Sequence, residues 1–164
     1  MKDKLTVIAG GGGFIAGNLI ASLRQQGYRH IRAVDVKPLE HWYQRFDDVE
    51  NLSLDLNERE NCEIAMKGAT EVYNLAANMG GMGFIEKNKA LCMLSVLINT
   101  HMLMAARKYG VERYFYSSSA CVYNGILQHT LCVLLILHNS TVANPLAAKF
   151  KLGFKKYDAS GSAR

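Results

Sequence analysis

Four consecutive glycines, Gly10-Gly11-Gly12-Gly13, followed by Phe14-Ile15-Ala16, are the first residues whose types and spacing suggest chemistry. Glycines after a strand let the chain turn tightly, let backbone approach a pyrophosphate, and aim the first amides of the next helix at it; Gly10, Gly13 and Ala16 hold the three relevant positions. Turns also use glycine for steric reasons alone, so the cluster needs support from elsewhere. Asp35 supplies it, about 25 residues after Gly10 at the end of an apolar run, where a carboxylate accepts the hydroxyls of an adenosine ribose and repels a 2′-phosphate. That favours NAD over NADP. Lys37 is the opposing signal, because a cation there accommodates the phosphate. Asp55, closing a later apolar run, is placed either to reach an adenine amino group or to serve as an ordinary acid ahead of a helix.

These residues need strand ends to hold them. Leu5–Ala9 reads as a strand, and Phe14, Ile15, Leu19, Ile20 and Leu23 recur at helical spacing up to Gly27. Ile31–Val34 and Leu52–Leu54 read as strands that each end in an acid. A helix is expected from Glu58 to Lys67, opened by an Asn57/Glu60 capping box, and a fourth strand from Val72 to Ala76. A long, largely buried helix over Glu86–Tyr109, closed by Gly110, and a fifth strand over Arg113–Ser117 follow. Apolar strands alternating with helices predict an α/β fold, a Rossmann-type doubly wound parallel sheet, incomplete at its C-terminal side.

The chain has 164 residues, 49% hydrophobic and 20% charged, which fits one globular domain. Its longest unbroken apolar stretch, Leu131–Leu137, is far short of the roughly 20 residues of a membrane span, and Met1–Lys4 does not open a secretory signal. A cytoplasmic chain that does not cross a membrane is expected. The four cysteines, Cys62, Cys92, Cys121 and Cys132, lack metal-knuckle spacing, so free thiols are expected and no metal site. Five of the 19 basic residues but one of the 14 acidic residues fall beyond Asn124, so the basicity belongs to the C-terminal segment. Lys149, Lys151, Lys155 and Lys156, set among Phe150 and Phe154, read as a solvated charge run rather than a nucleic-acid or membrane patch. The division is a dinucleotide-binding domain at 1–124 and a divergent basic tail at 125–164, with at most one strand and a disordered end.

The glycine turn, Asp35, Asp55, Asn74-Leu75-Ala76-Ala77 and Ser117-Ser118-Ser119-Ala120-Cys121-Val122-Tyr123 together resemble the N-terminal half of an extended short-chain dehydrogenase/reductase, in the NAD-dependent epimerase/dehydratase group. Asn74–Ile85 and Ser118–Tyr123 are similar to epimerases of the GDP-mannose 3,5-epimerase type, with Met79–Gly83 and Ser119-Ala120-Cys121 the more specific motifs. The resemblance implies an NAD cofactor held by Gly10, Gly13, Phe14, Ile15, Ala16, Asp35, Asp55, Leu56, Leu75, Ala76 and Ala77. It implies a GDP-mannose-like nucleotide-sugar substrate touched by Gly80, Ser119, Ala120 and Cys121, and a homodimer as the possible assembly. In such enzymes C4 of the sugar is oxidised, the ketone acidifies C3 and C5, and hydride then returns to C4. Cys121 would be the catalytic acid/base, a thiol suiting both directions of proton transfer near neutrality. Without the resemblance, Cys121 reads as a core residue. His101 reads as a packed or surface histidine.

One signature of the superfamily is missing. Its Tyr-x-x-x-Lys pair, in which the lysine lowers the tyrosine pKa, occurs at none of the eight tyrosines. The expectation is therefore a truncated or frame-disrupted epimerase, broken after Tyr123 and inactive alone. A noncatalytic NAD-binding module, a partner of a full-length homologue, and a nucleotide-sugar 4,6-dehydratase relative are the alternatives.

Overall fold

The computed structural model describes residues 2–78, 83 and 87–118, and the backbone of 155–156. Among these residues the strands are β1 Leu5–Ala9, β2 Ile31–Asp35, β3 Glu50–Ser53, β4 Ala69–Asn74 and β5 Arg113–Tyr116, with a two-residue β6 at Lys155–Lys156. The order across the sheet is β3-β2-β1-β4-β5-β6, in which β1 pairs parallel with β2 and β4, β2 pairs parallel with β3, and β6 pairs antiparallel with β5. Parallel neighbours need crossovers, supplied by α1 Phe14–Gln25, α2 Arg59–Met66 and α3 Lys89–Lys108. This is the Rossmann-type doubly wound sheet. Contacts divide the chain into Met1–Phe115 with Phe154–Arg164, and Tyr116–Gly153. The core and cavity described below belong to the first unit.

β1 is apolar along its length because both its faces are covered. Val7 and Ala9 join Val34, Val72, Cys62, Met66, Ile98 and Met102 in the core under α2 and α3. Ile8 joins Ala16, Ile20, Leu23, Ile31, Ala33 and Trp42 in the core under α1. Strand order reverses between β1 and β4, and at such a switch point the carboxyl ends of the strands open a crevice.

Local differences from the sequence reading have local causes. β3 lies at Glu50–Ser53 rather than over Leu52–Leu54, because it registers against β2 with Arg32 opposite Glu50, and the two side chains pair at 2.8 Å. Arg32 Nη1 also donates to the carbonyls of Ala65 and Lys67, each at 2.9 Å, closing the C-terminus of α2, whose own last turn carries no basic residue. The expected capping box does not form: Glu58 is the N-cap without a side-chain bond, since the Asn57 side chain turns back to Asp55. β4 begins three residues earlier than expected, and β5 ends at Tyr116.

α3 starts at Lys89, ends ahead of Gly110 at φ +68°, and is not largely buried. Ile98, Met102, Ala105 and Ala106 pack inward, while Met93, Val96, Leu97, Leu103 and Met104 are exposed. By length and composition it is one helix apolar enough to cross a membrane, with mean hydropathy 1.4 over its best window. Here its inner face packs on α2 and β4. The strand expected at Leu131–Leu137 lies outside the described residues.

Candidate functional site

The ends of β1 to β4 open on a cavity of about 330 Å³. Each strand contributes the turn that follows it: Gly10 and Gly13 after β1, Asp35 to Lys37 after β2, Leu54 to Asn57 after β3, and Leu75 to Asn78 after β4. Ile98 of α3 completes the lining.

The glycine turn is held tightly. Gly10 sits at φ +80°, and a Cβ there would lie 2.9 Å from the Leu75 carbonyl, so both conformation and space require glycine. The amides of Gly10 and Gly11 donate to the Val34 carbonyl at 2.8 and 2.9 Å. α1 opens at Gly13 with no side-chain cap and no acid in its first turn, which leaves its positive dipole end toward the crevice for an anion. Ala16 is buried in the α1 core, where a small residue lets helix and strand approach. Phe14 and Ile15 stand exposed on the same turn, Phe14 edge-on to Tyr43 at 4.8 Å.

Asp35 is 8% exposed. Its Oδ2 accepts the Gly12 amide and its Oδ1 the Lys37 amide, both at 3.0 Å. An ionised carboxylate has about four acceptor positions, so each oxygen keeps one for a ribose hydroxyl. The segment after β2 also braces the glycine turn from behind. Trp42 packs on Gly12 so closely that a Cβ there would lie 2.8 Å from the indole Cδ1. Trp42 Nε1–H donates to the Lys37 carbonyl at 3.0 Å, and the Tyr43 amide donates to the Gly12 carbonyl at 3.1 Å. Sequence reasoning missed Trp42; a single tryptophan soon after the acid-ending strand was the available signal.

Asp55 is wired differently. Its Oδ1 accepts both the Asn57 amide at 2.9 Å and the Asn57 side-chain Nδ2 at 2.8 Å, while its backbone carbonyl accepts Asn61 Nδ2 at 2.9 Å. Leu56 is held through its carbonyl by the Cys62 thiol at 3.2 Å. Burial, with the Asp55 charge adding to it, pushes the Cys62 thiol up to about 12, so this cysteine is an inert core group, as its composition suggested. After β4, the buried Asn74 donates to Asn99 Oδ1 at 2.8 Å and to the Tyr114 hydroxyl at 3.0 Å, and accepts the Ala76 amide at 3.3 Å, which fixes the start of the Leu75–Ala77 turn.

Gly10, Gly13, Asp35, Asp55, Leu56, Leu75, Ala76 and Ala77 thus line one cavity, and Lys37 lines it too. Asn57, Asn78 and Ile98 join them unforeseen. Gly80, Ser119, Ala120 and Cys121 lie outside the described residues. Among the described residues no group of three or more His, Cys, Asp or Glu side chains is placed to hold a metal.

A doubly wound sheet with a glycine turn at its switch point and an acid at the end of β2 defines a dinucleotide-binding domain. The chain matches the NAD dependent epimerase/dehydratase family over residues 6–130 and belongs to that family. It is 42% identical over 117 residues to GDP-mannose 3,5-epimerase of Arabidopsis thaliana, covering 71% of this chain and 31% of that protein. It is 42% identical over 124 residues to GDP-mannose 3,5-epimerase 1 of Oryza sativa subsp. japonica, covering 74% and 32%. The chain therefore spans about a third of the length of the curated relatives it matches. MoeE5 in complex with UDP-glucose and NAD superposes with a TM-score of 0.62 at 28% identity, over 74% of this chain and 38% of that one. The UDP-glucose 4-epimerase of Thermus thermophilus in complex with NAD shares the fold, with a TM-score of 0.60 at 23% identity over 70% and 37%. NAD is the cofactor of the family, and the site fits its adenosine half: a glycine cradle that a Cβ would fill, and two acids at adjacent strand ends.

Proposed function

We propose that this chain carries the NAD-binding part of a nucleotide-sugar epimerase of the GDP-mannose 3,5-epimerase type, acting in the cytoplasm by oxidation at C4, epimerisation at C3 and C5, and re-reduction. The observation that carries the reading is the meeting of Gly10, Gly13, Asp35, Asp55 and Leu75–Ala77 on one cavity. Identity to the plant GDP-mannose epimerases supports the choice of sugar. Bound NAD supplies the hydride acceptor and donor at C4. The glycine turn and the α1 N-terminus hold the pyrophosphate, Asp35 the ribose, and Asp55 the adenine. In an intact enzyme of this type Cys121 would be the acid/base at the sugar, with Gly80, Ser119 and Ala120 as its neighbours on the substrate.

Because the sequence lacks the Tyr-x-x-x-Lys pair, the 164-residue chain binds NAD without turning over sugar. Isothermal titration with NAD, followed by incubation with GDP-mannose in D2O, tests both halves. Binding without deuterium at C3 or C5 is expected. No binding would overturn the reading, deuterium wash-in would overturn the inactivity, and a keto-deoxy product would indicate a 4,6-dehydratase instead. The composition change at Asn124 leads us to propose a frame-disrupted copy, which translation of the other frames downstream of that codon checks.

The missing pair also favours a second reading, a noncatalytic module that partners a full-length homologue. A homodimer is the assembly we propose for the chain itself, and the exposed apolar stripe of α3 supports it. Sedimentation of the chain alone and mixed with an intact homologue separates the two.

A further inference from the structure

α3 holds the turns that line the cofactor cavity with polar side chains to which the reaction gives no part. Ser95 Oγ accepts the Asn78 amide at 2.9 Å and Asn99 takes the Asn74 side chain at 2.8 Å, so the turn after β4 is tied to the helix. The turn after β3 is tied by His101, whose Nδ1 lies 2.9 Å from the Asn57 carbonyl oxygen. A carbonyl oxygen only accepts, so Nδ1 carries the hydrogen and donates. Ile98 of the same helix lines the cavity that these two turns flank.

The bond from His101 acts at a sensitive place. Asn57 gives both its amide and its Nδ2 hydrogen to Asp55 Oδ1, which occupies the two acceptor positions of that oxygen. The oxygen left to face a base is Oδ2. Its direction depends on the Asp55–Asn57 turn, which α2 holds at Asp55 and Leu56 through Asn61 and Cys62, and which α3 holds at Asn57 through His101. A 6-aminopurine offers Oδ2 a hydrogen, whereas a 6-oxopurine offers a second acceptor whose lone pairs repel the carboxylate.

We infer that His101 is a positioning residue for base recognition: by bonding the Asn57 carbonyl it holds the Asp55 turn to α3, so that Asp55 Oδ2 selects a 6-aminopurine dinucleotide over its 6-oxopurine analogue. The inference rests on the proposed NAD site. It makes the helix behind the cavity part of the specificity of the adenosine pocket.

The test compares NAD with nicotinamide hypoxanthine dinucleotide by isothermal titration on the 164-residue chain and on His101→Ala and His101→Asn, with thermal melting of each. Wild type is expected to favour NAD about tenfold or more. His101→Ala loses about tenfold of NAD affinity, the scale of one hydrogen bond, while the hypoxanthine analogue changes less than about twofold. His101→Asn, whose carboxamide can donate near the Nδ1 position, restores most of the loss. Equal weakening of both dinucleotides, unchanged NAD affinity in His101→Ala, or failure of His101→Asn to restore the preference would each overturn the inference while leaving NAD binding in place. Wild type that binds neither dinucleotide would overturn the NAD site and the inference together.

Discussion

The turns after β2 and β3 both present an aspartate to the same cavity, yet the two acids are built into the protein in different ways. Asp35 is buried and bonded through each oxygen to a backbone amide, Gly12 on one side and Lys37 on the other. Asp55 is half-buried, with Asn57 holding one oxygen twice. The first carboxylate is part of the fold of the glycine turn as well as of the cavity lining. The second lines the cavity from a small turn. One residue type at equivalent strand ends is therefore tied into the fold to different extents.

The largest effect that separates them is expected from Asp35→Ala. Two amides lose a charged acceptor in a dry place, which costs about 3 kcal/mol of stability, and the glycine turn relaxes, so NAD affinity falls about 100-fold. Urea unfolding and calorimetric titration check this; wild-type stability with only weaker binding would make Asp35 a second Asp55. Asp55→Asn comes next, with stability within about 1 kcal/mol of wild type and a roughly tenfold loss of NAD affinity. If its new amide hydrogen faces the base, the same variant improves binding of the hypoxanthine dinucleotide, which titration of both ligands shows.

The smallest effect concerns Cys62, whose thiol is raised from 9.0 to about 12 by burial first and the Asp55 charge second. A folded value above the unfolded one means that the native state keeps a proton the unfolded state releases. The contribution is complete below pH 9.0 and declines as pH rises toward about 12. Tyr73, raised from 10.0 to about 12 by burial and then by Glu71, adds a decline of the same sign. Asp55→Asn removes one of the causes acting on Cys62 and makes the alkaline decline shallower. Urea unfolding at several pH values between about 8 and 11 measures the slope in both proteins, and an identical slope would separate Cys62 from Asp55.

Residues that act through backbone geometry were legible in the sequence. Gly10, Gly13 and Ala16 announce a turn with little side-chain volume, and Asp35 ends a run of strand-forming residues. β1 was read to the residue because its apolar run is bounded sharply by the glycines. Tertiary partners decided the rest. The capping box at Asn57 failed because Asp55 offers that side chain a nearer acceptor, and β3 moved because Arg32 fixes its register. The inward and outward faces of α3 are both apolar, so composition alone made the helix look buried. His101 carried no local signal, since its partner lies 44 residues away in the chain.

The brace behind the glycine turn has an optical consequence. Trp42 is the single tryptophan of the chain, its indole lies against Gly12, and its ring nitrogen bonds Lys37 in the turn after β2. Ultraviolet-excited emission selected for tryptophan therefore comes from one known spot behind the glycine turn. Reduced nicotinamide absorbs where tryptophan emits and the oxidised ring does not, so the protein contains an unlabelled fluorescent reporter that distinguishes the two redox forms of its own cofactor.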